Sequence, residues 1–245
     1  MTYCVAINVK EGLVMLADTR TNAGVDNISR FRKMFTWEEP GERAIALMTS
    51  GNLSITQGVL TRVQAALERS VLGDDVETIM NCDTLYRAAE IVGQAMREMT
   101  HGYAKSIDQA GVSSGASIIL AGQRKGGRPR IFLIYSAGNF IEATHDTPFL
   151  QIGEHKYGKP ILDRVITPDT SLDDAVKAAV VSMDSTLRSN LSVGMPLDFA
   201  VLPRNTYQFR TRQRIETGHE QFGTISEAWS ESLRQAFAKL PEFVA

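Results

Sequence analysis

The chain is poor in cysteine, histidine and long apolar runs, and each shortage closes off a class of function. Its two cysteines, Cys4 and Cys82, stand far apart with no C-x-x-C spacing, and so read as reduced thiols rather than a disulfide framework. The four histidines (His101, His145, His155, His219) show neither H-E-x-x-H nor H-x-H, so neither a metal nor a cofactor is expected. The longest apolar runs, such as Ala116–Gly122, fall far short of the roughly 20 residues a membrane helix needs. Neither sign of charge dominates; the formal net charge is −2, which gives no footprint for nucleic acid or an anionic membrane. The front of the chain has no basic-then-apolar leader, so a cytoplasmic protein is expected. No Pro/Ser-rich linker interrupts it, and 245 residues, 43% of them hydrophobic, bury an ample core. Residues 1–245 are therefore expected to form a single domain.

What is present begins almost at once. Tyr3–Val9 alternates, with Tyr3, Val5, Ile7 and Val9 on one face and Cys4, Ala6 and Asn8 on the other. Gly12–Ala17 is a second apolar strand, joined to the first through Lys10-Glu11 as a tight hairpin. Strands follow at Lys33–Trp37 and Arg43–Thr49, then amphipathic helices at Ser54–Ser70 and Thr84–Ala104, with a loop over Val71–Asp83. The second helix carries Leu85, Ala88, Val92, Met96, Met99 and Tyr103 on one stripe. Strands return at Ala116–Gln123, Arg130–Tyr135, Phe140–Thr144 and Phe149–Ile152, and helices at Lys156–Val165 and Ser171–Ser189. The chain closes with strands at Leu197–Leu202 and Tyr207–Ile215 and a helix over about 226–240, striped with Trp229, Leu233, Phe237 and Leu240. Such blocks predict an α+β fold: two antiparallel sheets, each covered on its outer side by a helix pair, in four αββα layers.

The chemistry concentrates at the front. Initiator methionine is readily removed when residue 2 is small, and Thr2 qualifies. Removal exposes an α-amine with an ordinary pKa near 7.7–8.0, so a hydroxyl nucleophile would carry its own base. Pairing Val9 with Gly12 across the turn places Thr2 opposite Thr19, between Asp18 and Arg20. Strict alternation would point Asp18 away from the face Thr2 uses, so the strand is expected to kink or end there. Lys33, held at the N-terminal threonine, would lower the amine's pKa by like-charge proximity and stabilise an alkoxide, with Asp18 orienting it. Thr49-Ser50-Gly51-Asn52 runs from a buried strand into a helix, where the Gly51 N–H could hold an oxyanion.

Met1-Thr2, Asp18-Thr19-Arg20-Thr21, Lys33 and Thr49-Ser50-Gly51 stand at the spacing of the proteasome β-subunit family, threonine hydrolases of the N-terminal nucleophile (Ntn) class. Thr19–Phe35, Gly41-Glu42-Arg43, TSGNLSITQ and IGEHKYGKPILDR resemble the bacterial ancestral β-subunit branch, Anbu. The resemblance implies a proteasome-type threonine peptidase with Thr2 as nucleophile, Lys33 and Asp18 completing a catalytic trio, Gly51 as oxyanion donor and Arg20 in support. It implies a peptide or amide substrate and self-association, as a closed ring or an open helical staircase. Two positions depart from the pattern. Gly153-Glu154-His155 replaces the usual Gly-Ser-Gly, and in Ser189-Asn190-Leu191-Ser192 the usual serine is matched by Ser192 while Ser189 stands for an Asp.

Other readings compete. The same nucleophile would serve an Ntn amidase or transferase acting on a non-protein amide, and the family also contains non-catalytic assembly subunits. Gly111-Val112-Ser113-Ser114-Gly115 matches G-x-S-x-G, but it precedes a strand and follows a helix, the reverse of a nucleophile elbow. Glu154-His155 could be an acid–base pair, although such residues more often cap a helix. The Trp229/Phe237 stripe suits either internal packing or an assembly surface.

Overall fold

A computed structural model describes residues 1–23, 27–109 and 115–243. The Gly111–Gly115 motif lies, but for its last glycine, outside the described residues. Strands β1 (Tyr3–Val9) and β2 (Gly12–Asp18) form the hairpin that the sequence predicts, with Val9 facing Gly12 and Cys4 facing Ala17. β10 (Phe149–Gly153) flanks β1, while β11 (Leu197–Pro203) and β12 (Thr211–Ile215) extend the sheet beyond β2, giving the order β10-β1-β2-β11-β12. The second sheet runs β5-β6-β7-β8-β9, from Met34–Glu39, Arg43–Gly51, Ala116–Arg124, Arg130–Tyr135 and Phe140–Glu142. A short pair, β3 (Arg20–Ala23) and β4 (Asn27–Arg30), sits between β2 and β5.

Alternation sorts the strands into layers. Cys4, Ala6, Leu13, Met15 and Ala17 face Met34, Ala44, Ala46, Met48, Ile119 and Ala121 across the space between the sheets. Alanines recur through that contact among larger Leu, Ile and Met side chains, so the two inner faces interdigitate. On the outer face of the first sheet, Tyr3, Val5, Ile7, Val14 and Leu16 pack against α3 (Lys159–Val165) and α4 (Leu172–Ser189). On the outer face of the second, Ile45, Leu47, Ile118 and Leu120 meet α1 (Leu53–Val71) and α2 (Leu85–Gln109). The layers are αββα. Cys4 and Cys82 are both buried and belong to different cores, which bars a bond between them.

Several element boundaries differ from the sequence expectations, each for a local reason. Only Thr211–Ile215 of the expected Tyr207–Ile215 strand is extended, because Asn205 and Tyr207 adopt positive φ (64° and 52°) and turn the chain first. The helix expected from Lys156 starts at Lys159, where Pro160 fits the first turn. Tyr103 leaves the buried stripe of α2 and is exposed. The last helix, α5 (Glu220–Ala238), begins six residues before Ser226, with the His219 side chain accepting from the Phe222 N–H.

α5 is attached differently from the other helices. Its one buried residue is Ser226, whose hydroxyl donates to Asp184 on α4 at 2.8 Å and accepts from Arg188 at 2.8 Å. Trp229 is half-buried, while Leu233, Phe237 and Leu240 are exposed, Phe237 by 77%. The stripe is thus not an internal packing face. Ser226→Ala should raise hydrogen exchange in α5 about tenfold, the loss of about 1–2 kcal/mol of local bonding, while β1 and β2 amides keep their protection. Exchange mapped by mass spectrometry checks this.

Candidate active site

Thr2 precedes β1 and is held by its neighbours' backbones. Its carbonyl accepts the Glu154 N–H at 2.7 Å, and the next amide, Tyr3 N–H, donates to Asp18 Oδ1 at 3.0 Å. Gly153 makes the first contact possible. It sits at φ +83°, and a Cβ there would lie 1.9 Å from the Thr2 carbonyl oxygen. Any side chain at 153 would push Thr2 out of place.

β2 ends at Asp18, as the hairpin argument requires. Thr19 leaves the sheet, its hydroxyl donating to the Pro196 carbonyl at 2.7 Å. The Asp18 carboxylate is fully buried and lies across the strand end. Oδ1 accepts from Lys33 Nζ at 2.7 Å and from Tyr3, while Oδ2 accepts the Gly194 N–H at 3.3 Å. Burial pushes its pKa up, against the Lys33 charge and the hydrogen bonds, which pull it down. Lys33 sits just ahead of β5 and is itself buried. Its ammonium also donates to the Arg20 carbonyl and, at 3.4 Å, to the Met1 carbonyl. Three acceptors for three N–H bonds satisfy the cation, as a buried charge needs.

Gly51 closes β6 at φ +95°, with space for no side chain because a Cβ would lie 2.2 Å from the Gly115 carbonyl oxygen. Asn52 N–H donates to Gly115 on the β7 side, and Thr49 N–H to Lys33 on the β5 side. Alternation between them sets the Gly51 N–H on the β5 side, away from Gly115. Asn52 then caps α1, accepting from Ser54 and Ile55 N–H.

Thr2, Lys33 and Gly51 line one cleft of about 340 Å³, together with Met1, Thr49, Ser50 and Glu154. Asp18 lies behind Lys33. Arg20 stays outside the cleft: its guanidinium donates to the Leu191 carbonyl at 2.8 Å and packs on Gly194, bracing the loop whose N–H holds Asp18. Ser192 lies in that loop, half-buried, with its N–H on the Asn190 side chain at 2.9 Å. Ser189 ends α4 exposed to solvent; neither serine lines the cleft. Glu154-His155 does not cap α3, whose first turn is flanked by Gly158; His155 is exposed, while Glu154 enters the cleft. The clamps at Gly153 and Gly194 escaped the sequence reading, since a glycine's backbone contact leaves no mark in composition.

The terminal amine, here on Met1, has its pKa lowered by burial and then by Lys33, with Asp18 and Glu154 opposing. Proton acceptor, hydroxyl, ammonium and backbone donor thus share one cleft, the parts a nucleophilic acyl transfer requires.

A model of the family described as "Proteasome subunit" matches residues 2–202. Among solved structures, the chain is similar to an Anbu (Gly-1) mutant from Hyphomicrobium sp. strain MC1, at 50% identity over 100% of both chains with TM-score 0.90. It is similar to Anbu (ancestral beta-subunit) from Yersinia bercovieri, at 44% identity over 99% of both chains with TM-score 0.91. A third, described as a helical assembly of the Anbu complex from Pseudomonas aeruginosa, is 43% identical over 99% of this chain and 98% of that one, with TM-score 0.89. No curated protein matches.

Lys33→Met would remove the cation while filling its space, leaving Asp18 buried without it. A carboxyl whose folded pKa exceeds its unfolded one contributes stability that is lost as pH rises through the folded pKa. The variant should therefore lose about 3–5 kcal/mol near pH 8 and less near pH 5, read by urea denaturation at both.

Proposed function

The chain belongs to the proteasome subunit family, and on that premise we propose that it is a threonine hydrolase that cleaves amide bonds with Thr2 after Met1 is removed. The observation that carries this reading is the Lys33 ammonium, held on Asp18 at 2.7 Å and donating to the Met1 carbonyl beside Thr2. Loss of Met1 releases that third N–H and leaves the α-amine on Thr2.

The chemistry follows from the groups in the cleft. The Thr2 hydroxyl attacks the substrate carbonyl as its proton passes to the Thr2 amine, directly or through a water. Lys33 steadies the developing alkoxide, and the Gly51 N–H takes the tetrahedral oxyanion. The Thr2 ammonium then gives that proton to the leaving nitrogen as the C–N bond breaks, leaving an acyl ester on Thr2. A water, activated by the same amine, hydrolyses the ester and restores the hydroxyl. Asp18 holds Lys33 in place, and Arg20 braces the loop that positions Asp18. A peptide is the substrate the family membership favours. We further propose that the protein works as a many-subunit assembly, as the Pseudomonas aeruginosa relative is described; the exposed α5 stripe is available for such contacts.

Intact mass should show a chain lacking Met1. Electrophilic threonine-protease probes should label that chain on Thr2, and Thr2→Ala should abolish labelling with the circular dichroism unchanged. Persistent labelling of Thr2→Ala would remove Thr2 from the nucleophile's role. Lys33→Ala should lower labelling by at least about a hundredfold, and a fully reactive variant would take Lys33 out of the scheme.

A further inference from the structure

Resting on the reading of Thr2 as nucleophile and its own amine as base, we propose that Glu154 is a positioning residue whose carboxylate holds the Thr2 ammonium and so sets the pH at which the base becomes available.

Glu154 stands where the resembling family carries a neutral serine. Its backbone N–H is bonded to the Thr2 carbonyl at 2.7 Å, which fixes the two residues against each other whatever either side chain does. The side chain is 17% exposed and lines the cleft with Thr2 and Lys33. Its ion-pair partner is Lys156 at 3.7 Å, which is 67% exposed. A pair of that kind is worth little, so it competes weakly for the carboxylate.

Three charged groups act on the chain's terminal amine: Lys33 ahead of β5, Asp18 at the end of β2 and Glu154 after β10. Of the two carboxylates, Asp18 is engaged by Lys33, Tyr3 N–H and Gly194 N–H. Asp18 still opposes Lys33 at the amine and more strongly, but it is fixed in the buried pair, whereas the Glu154 side chain lines the cleft itself. It already favours the protonated form of the amine on Met1, and removal of Met1 moves that amine inward onto Thr2, the residue Glu154 clamps. A carboxylate beside an ammonium stabilises the charged form and raises its pKa. The free base therefore appears at higher pH than it would with serine at 154, and hydrolysis gains an acidic limb displaced toward alkaline pH.

The test reads the amine itself. Acylation of the α-amine is followed against pH by mass spectrometry of the N-terminal peptide in wild type, Glu154→Gln, Glu154→Ser and Glu154→Asp. Both neutral variants should lower the apparent amine pKa by about 0.5–1 unit, and Glu154→Asp should stay near wild type. The acidic limb of the pH–rate profile should move down by the same amount. An unchanged amine pKa in the folded neutral variants would overturn the proposal. Because the backbone bond to Thr2 does not depend on the side chain, Glu154→Ser decides the matter should Glu154→Gln not fold. A chain that keeps Met1 should show the same downward shift on the Met1 amine. An amine that shifts in a protein hydrolysing nothing would overturn the threonine-hydrolase reading while leaving the role of Glu154 standing.

Discussion

Three chain segments converge on the ammonium of Lys33, the end of β2 through Asp18, the start of β3 through the Arg20 carbonyl and the N-terminus through the Met1 carbonyl, and a fourth, the loop before β11, holds the far oxygen of Asp18 through the Gly194 N–H. Burying a cation and a carboxylate costs several kcal/mol per ion unless their hydrogen bonds are filled. Here they are filled largely by backbone, and the backbone groups in question belong to the segments that form the cleft. The ion pair thus makes its own satisfaction depend on correct placement of the N-terminus, and a misplaced Thr2 would leave a buried charge short of partners.

The scaffold suits that demand. Two sheets packed face to face give rigid strand ends, and the cleft lies where β1 begins and β2 and β6 end. Sites on strand ends are held more tightly than sites on free loops. Gly153 and Gly51 sit at positive φ at the ends of β10 and β6, the first bringing its backbone onto Thr2 and the second lying against the Gly115 carbonyl. α5, held by a small polar cluster and by Phe222 against the first core, leaves Leu233, Phe237 and Leu240 outward.

Much of this was legible in the sequence, and the reason is locality. Period-two alternation in residues 3–17 sorts side chains between the two cores, and a two-residue turn sets the pairing of β1 with β2. Together they bring Asp18 to the N-terminus, and Lys33 follows only 15 residues later. The terminal stripe of α5 and the strand expected from Tyr207 show the limit: a helical stripe does not reveal whether anything covers it, and two residues at positive φ delayed a strand whose pattern looked continuous.

What the sequence by itself determined is the element order, the face each strand residue takes and the return of Asp18 to the N-terminus, all governed by backbone period and short connections; Lys33 is marked by the family resemblance alone. What only the tertiary structure decided is the part built from distant segments: the Glu154 N–H on Thr2, the Gly194 N–H reaching Asp18 from 176 residues away, and the exclusion of Ser189 and Ser192 from the cleft. Those contacts are made by backbone amides brought together when the sheet closes, and an amide carries no side-chain identity by which a sequence could announce it.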